Sequence, residues 1–231
     1  VYTGSCGALT QISGACASTT SGTATLNLTG LTAATTYRVR VYTTSSTAGV
    51  FSTFTMCVGT PPPPPANDNC AGATSLTVNA DYNCGITTNG STLSATQSTE
   101  TAPSCSATGV NDDVWYTFVA TNTQHRVSIS AATSASAIAV YSGSCGSLTQ
   151  ISGACATTSS GAAAINFTGL TIGTTYTVRV YTTSATVGIN ATFTLCIGTP
   201  PPVPANDLCS GAIALACGQT LTGYTFSSTL D

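Results

Sequence analysis

The chain has 231 residues, of which 5% are charged, with four Arg, no Lys and a formal net charge of −3. No basic face can be assembled from that inventory, which excludes nucleic-acid binding as a class; the absence of Lys also excludes Lys–Asn isopeptide cross-links. Thr, Ser, Ala and Gly fill the space that charges normally occupy, yet regular Val/Tyr/Phe alternation and eleven Cys set the chain apart from a disordered one.

Taken from its start, the chain opens on VYTGSCGALTQISGACA at Val1–Ala17, which returns as VYSGSCGSLTQISGACA at Val140–Ala156. TYRVRVYTTS and FTMCVGTPPPPPANDNC return as TYTVRVYTTS and FTLCIGTPPPVPANDLC. The spacing from Val1 to Val140 is 139 residues, as it is from Cys57 to Cys196. A period of that length is one domain per repeat, not a solenoid turn. Residues 1–60 read as the C-terminal portion of one repeat and 61–65 as a proline linker. Residues 66–199 form a complete β-sandwich repeat, 200–204 a second linker, and 205–231 the N-terminal portion of the next repeat. Without an initiating Met, a signal peptide or an apolar run of membrane length, the expectation is a window on a longer polypeptide.

Within the complete repeat, period-two alternation predicts strands over Asp113–Thr121, His125–Ala131, Ala137–Ser142, Ala163–Thr168, Thr175–Thr183 and Asn190–Gly198. Tyr176, Val178 and Val180 share one face, with Thr177, Arg179 and Tyr181 on the other. Roughly eight short strands and no sustained helical period predict an all-β fold: tandem antiparallel β-sandwich domains, jelly-roll or immunoglobulin-like, joined by proline-rich linkers. Tyr176 after Leu170, and Tyr37 after Leu31, are placed to hydrogen-bond back across a Greek-key corner. The proline runs favour polyproline II, a semi-rigid spacer rising ~3.1 Å per residue.

ANDNC with a later CG, then NDDVWYTFVAT, VYSGSCGSL, GLTIGTTYTVRVYT, FTLCIGT and the proline joint resemble repeats of large secreted and cell-surface proteins of Bacteroidota. The DVWYTF and GLTIGTTYTVRVY portions are similar to the bacterial pre-peptidase C-terminal β-sandwich domain. The resemblance covers nearly the whole chain. It implies a jelly-roll-like sandwich, export by the type IX route and a role in adhesion, gliding or matrix, and it brings no catalytic residues.

Eleven cysteines without a metal-type CxxC pair point to disulfides and an oxidising compartment. Six belong to the complete repeat, three to the stretch before it and two to the stretch after it, so the odd total implies no reactive thiol. Short-loop closure predicts Cys6–Cys16 and Cys145–Cys155, and Cys84–Cys105 would close a long polar loop. Cys70–Cys196 would then tie the domain ends. The alternative is Cys57–Cys70 with Cys196–Cys209, clamping the proline joint; connectivity is not deducible from sequence.

Asn111, Asp112 and Asp113, with Asp68 beside Asn67, are hard-oxygen groups that could hold a structural calcium, although Asn and Asp serve turns equally well. No other cofactor is expected. His125, the only His, is expected at the surface beside Arg126, and no catalytic constellation can be assembled. Asn27, Asn89, Asn166 and Asn190 lie in glycosylation sequons, and the dense Ser/Thr content suits O-glycosylation.

Two functions compete. One is a non-catalytic structural or adhesive module of an extracellular fibre, stalk or surface adhesin, whose partners are neighbouring repeats or copies of itself. The alternative is a carbohydrate- or surface-binding accessory array of a secreted enzyme, to whose glycan contacts Tyr42, Tyr181 and Trp115 could contribute, none of them firm, although the sandwich core explains Trp115 equally well. Either places the chain outside the cell or on its surface, with no membrane-spanning segment in this stretch.

Overall fold

The computed structural model describes residues 1–20, 22–105, 112–186, 188–225 and 227–229. The chain divides into two compact units, Val1–Thr60 and Pro61–Asp231. No helix among the described residues is long and apolar enough to cross a membrane.

In the first unit, β1 (Tyr2–Ser5) and β2 (Ala8–Gln11) form a hairpin with Tyr2 opposite Gln11. The second unit carries β3 (Thr74–Ser75), β4 (Val78–Asn79), β5 (Thr88–Ser91), β6 (Val114–Val119), β7 (Gln124–Ala132), β8 (Ser136–Ser142), β9 (Thr149–Thr158), β10 (Gly161–Thr168), β11 (Thr175–Thr182) and β12 (Thr192–Gly198). They make two five-stranded sheets. One runs β10-β7-β12-β4, with β5 also on β12; the other runs β3-β6-β11-β8-β9.

The alternating residues behave as their period requires on the inner side. Val114, Tyr116 and Phe118 of β6, Val127 and Ile129 of β7, Val178 and Val180 of β11, and Leu195 and Ile197 of β12 belong to one core between the sheets. Phe118 is its aromatic centre, stacked on Tyr176 at 5.8 Å and edge-on to Phe167 at 6.1 Å. The all-β sandwich is therefore the fold of the complete repeat. Its pairing is antiparallel except at two short strands, since β3 runs parallel to β6 and β4 parallel to β12. Strand β9 is ten residues long although its sequence, TQISGACATT, lacks the β-branched alternation that marks the others.

The first unit is a contrast in context. Its residues 37–58 nearly repeat the sequence of β11 and β12, yet they form only one isolated bridge, Tyr2 to Arg38. In the complete repeat β11 lies between β6 and β8, and β12 lies on β7 with β4 and β5 also paired to it. A strand alone leaves its backbone groups to water and gains no cross-strand packing, so the sequence forms a strand only where partners exist. Local features survive in both places. The β1–β2 register repeats that of β8–β9, where Tyr141 faces Gln150. The tyrosine corner also forms twice: the Tyr176 hydroxyl accepts the Thr171 N–H at 2.9 Å, and the Tyr37 hydroxyl accepts that of Thr32 at 2.8 Å.

His125 departs from the surface role expected of it: its side chain is fully buried at the start of β7, edge-on to Phe118. Nε2 accepts the N–H groups of Thr121 and Asn122, at 3.1 and 3.3 Å, so the ring proton sits on Nδ1 and is donated to the Gly198 carbonyl at 3.0 Å. The ring thus ties the start of β7 to the end of β12. Burial holds its pKa below the usual 6.5, against the Gly198 hydrogen bond, which raises it. Below that value the unfolded chain binds a proton that the native ring refuses. Stability is then complete above pH 6.5 and falls as pH drops toward the native pKa, by at most about 1.4 kcal/mol per unit. Denaturant melts between pH 7.5 and 5 should show that slope in the wild type and lose it in His125→Gln. An equal slope in both proteins would contradict the assignment.

Candidate functional site

Three disulfides lie on the outer faces of the sandwich: Cys70–Cys145, Cys84–Cys196 and Cys105–Cys155. None of the expected pairings forms. Cys145–Cys155 fails because Cys145 lies in the turn after β8 while Cys155 lies six residues into β9, roughly 20 Å further along at strand rise. Cys155 stands opposite Ala139 and is carried to Cys105 instead. Cys84–Cys105 and Cys70–Cys196 fail for the same reason at larger scale. The segment 78–86 lies against β12, so Cys84 meets Cys196, while Cys70 packs with Trp115 and Tyr141 on the other sheet. The joint clamp of Cys57–Cys70 and Cys196–Cys209 is likewise not made, and Cys6 and Cys16 are free and exposed, as are Cys57, Cys209 and Cys217. Each bridge closes a loop of 50 to 112 residues, for which stabilisation of about 2–4 kcal/mol is usual.

The densest polar constellation is built around Arg179 of β11. Its side chain is 1% exposed, on the sheet face opposite the core. Nε donates to Asp113 Oδ2 at 3.1 Å, Nη1 to the Thr101 carbonyl at 3.1 Å and Nη2 to Ser98 Oγ at 3.1 Å. The guanidinium lies over the Trp115 ring at 4.9 Å and near Tyr181 at 5.7 Å. Asp113 Oδ1 in turn accepts the Ser98 N–H at 2.8 Å. One buried ion pair thus fastens the strandless segment around Ser98–Thr101 across the sheet. The segment covers a face that an antiparallel sheet commonly leaves to water. Sequence alternation places Arg179 with Tyr181 away from the core, but gives no sign that this face is covered.

The acidic residues considered as calcium ligands perform related tasks. Asp68 Oδ1 and Oδ2 accept the Thr96 N–H and hydroxyl, at 2.5 and 2.8 Å. Asp112 Oδ1 accepts the Thr182 N–H at 3.1 Å and its hydroxyl at 2.7 Å; burial raises the Asp112 pKa, the Thr182 hydrogen bonds opposing. Asn111 lies outside the described residues. Among the described residues no group of three or more His, Cys, Asp and Glu side chains converges as a metal-ligand set. Asp68 and Asp113 instead anchor neighbouring points of one segment, at Thr96 and Ser98. Asn67 completes the ANDNC turn by exchanging hydrogen bonds with the Trp115 backbone, at 2.8 and 3.0 Å.

The aromatics considered for glycan contact divide. Trp115 and Tyr181 are fully buried and Tyr42 is exposed, so the first two cannot form a stacking surface. Trp115 Nε1, Tyr141 Oη and Asp112 Oδ2 are buried with no hydrogen-bond partner among the described residues. Of the sequon residues, Asn27, Asn89 and Asn166 are exposed and Asn190 is half-buried. A residue without any signal in the sequence is Asn79, buried beside β12. Its amide donates to the carbonyls of Ile86 and Ile197 and accepts the Ile86 N–H, which pins the segment carrying Cys84.

The profile of a family described as galactose binding domain-like and associated with type IX secretion matches residues 66–195, more than half of the chain. The chain belongs to that family. The match begins at the ANDNC turn and ends within β12, so it spans Trp115 and Arg179 and five of the six bridged cysteines, stopping one residue short of Cys196. Among curated proteins, no sequence matches the chain.

Removing one member of a buried ion pair leaves the other charge uncompensated, typically at about 3–5 kcal/mol. Arg179→Met should therefore destabilise the domain by about that amount in chemical denaturation. Adding Asp113→Asn to that variant should recover some of the loss, giving strong non-additivity. Additive losses would show that the two side chains act independently.

Proposed function

We propose that the chain is a stretch of an extracellular surface protein in which each sandwich serves as a non-catalytic, covalently closed link of a stalk, fibre or adhesin. The observation that carries this reading is the direction of the bridges. Cys84–Cys196 joins the beginning of the complete repeat to its last strand, so tension entering at Ala66 and leaving at Thr199 has a covalent short cut. The shortest path runs eighteen residues from Ala66 to Cys84, crosses the bridge and runs three residues from Cys196 to Thr199. The proline runs at either side suit the spacing of such links. Disulfides and the type IX-associated family support an oxidising, extracellular setting.

Binding of carbohydrate is the second reading, and the family description favours it. It would use surface other than Trp115 and Tyr181, and glycan-array binding by the full chain separates it from a purely mechanical role.

Single-molecule pulling on the full chain tests the first reading. With bridges intact, the complete repeat should lengthen to at most about 80 Å, at ~3.6 Å per residue plus the 5.8 Å Cα–Cα span of the bridge; after reduction its 133-residue path should reach roughly 480 Å. A long extension without reductant would contradict the role.

A further inference from the structure

The complete repeat carries seven charged side chains, and six of them are engaged inside the protein. Asp68 accepts from Thr96, Asp112 from Thr182, and Asp113 pairs with Arg179. Asp81 accepts the Asn83 N–H and its side-chain amide, at 2.8 and 2.9 Å, and Glu100 accepts the Gly146 N–H at 2.6 Å. Arg126 is the exception. Among the described residues its guanidinium makes neither a hydrogen bond nor an ion pair, and its one contact of note is the Tyr82 ring, 5.6 Å away.

The fold fixes where that guanidinium stands. Arg126 precedes Val127 of the core by one residue, so it lies on the outer face of the β10-β7-β12 sheet. In register it sits between Asn166 of β10 and Gly198 of β12. Asn166, between Ile165 and Phe167 of the core, is exposed on the same outer face. A side chain at Gly198 would collide with the Asp81 carbonyl, so the backbone of Asp81 and Tyr82 crosses directly over that glycine. Asn79 and the Cys84–Cys196 bridge hold the crossing from either side. Tyr82 is thereby raised as a ledge beside Arg126. The floor in front of it continues through Ser128 and Ala164, a register pair of small side chains.

A guanidinium has five N–H donors and no acceptor, and its planar fork matches a carboxylate in bidentate fashion. Resting on the Tyr82 ring restricts its rotamers before any ligand arrives, which lowers the entropy lost on binding. The nearest acid in the chain does not reach it, because both Asp81 oxygens are turned to Asn83. The half-buried Tyr82, the Asn166 amide and the Ser128 hydroxyl offer apolar surface and neutral hydrogen-bonding groups beside one unmatched positive charge. That combination suits a pyranose bearing a carboxylate.

We propose that Arg126, Tyr82 and Asn166 form a binding site for an acidic sugar, a uronic or sialic acid, whose carboxylate takes the Arg126 fork. The proposal rests on the carbohydrate reading above and gives it a site and a ligand class.

The test probes a glycan array with the folded full chain, then titrates it calorimetrically with trigalacturonate and with neutral galactotriose. Glycans carrying uronic or sialic acid should dominate the array, and trigalacturonate should bind about ten-fold or more tightly than galactotriose. Arg126→Gln should abolish that preference. Arg126→Lys, which keeps the charge and loses the fork, should lose most of it, and Tyr82→Leu should weaken binding several-fold. Amide NMR spectra of the variants separate lost binding from lost folding. Should a change at Arg126 or Tyr82 disturb the fold, Asn166→Ala at an exposed position carries the same test, with a several-fold loss expected. Equal or better binding of neutral or sulfated glycans, or acidic-glycan binding unchanged in Arg126→Lys and Asn166→Ala, would overturn the proposal and leave the broader carbohydrate reading standing. An array with no glycan bound would remove both.

Discussion

Every disulfide of the complete repeat joins a residue before Val140 to one after it: Cys70 to Cys145, Cys84 to Cys196 and Cys105 to Cys155. The rest of the architecture depends on that constraint. Strands β4, β5 and β7 from the earlier half share a sheet with β10 and β12 from the later half, and β3 and β6 share the other with β8, β9 and β11. Neither half contains a closed sheet of its own. Segments with little regular structure, around Cys84 and Cys105, are held to outer sheet faces by a bridge together with a polar anchor. Asn79 serves one and the Arg179–Asp113 pair the other. In a chain with so few charges, the buried guanidinium matters because one planar group can reach a carboxylate, a carbonyl and a hydroxyl while its face rests on Trp115.

The chain also separates local from non-local determinants of its fold. Nearly the same sequence lies in paired sheets at Tyr141–Gly198, whereas at Tyr2–Gly59 the described residues make only the β1–β2 hairpin and one isolated bridge. The hairpin and the tyrosine corner form in both, because their contacts lie within about ten residues. The strands that need β6 or β7 beside them form only in the complete repeat. Amphipathic alternation in RVRVY thus specifies which face would be buried, while the pairing that makes it a strand comes from elsewhere in the chain.

This division explains what is legible in the sequence. Strands β6, β7, β8, β10, β11 and β12 follow from alternation, and the sandwich follows from them. The cysteine partners do not, because short-loop closure favours Cys145 with Cys155 and takes no account of a hairpin that carries them apart. His125 reads as a surface residue, and Trp115 as either a core or a glycan-facing one, for a related reason. A His beside Arg126 looks solvent-facing until Thr121, Asn122 and Gly198 converge on its ring. Trp115 faces away from the core, and the cover over it comes from residues near Ser98 that have no strand pattern. The acidic residues stand out in the sequence as turn or ligand groups, but the donors that meet them, Thr96, Ser98 and Thr182, are distant in sequence.

A family defined by a galactose binding domain-like fold and association with type IX secretion fits a sandwich whose outer faces are covalently fastened. Its buried aromatics and ion pair pack the outer face of one sheet, and the bridges tie early residues of the module to late ones. The most direct test is peptide mapping of the full chain, digested without reduction after folding under oxidising conditions. The account predicts linked peptides containing Cys70 with Cys145, Cys84 with Cys196 and Cys105 with Cys155. Recovery of Cys145 with Cys155, or of Cys84 with Cys105, would contradict it.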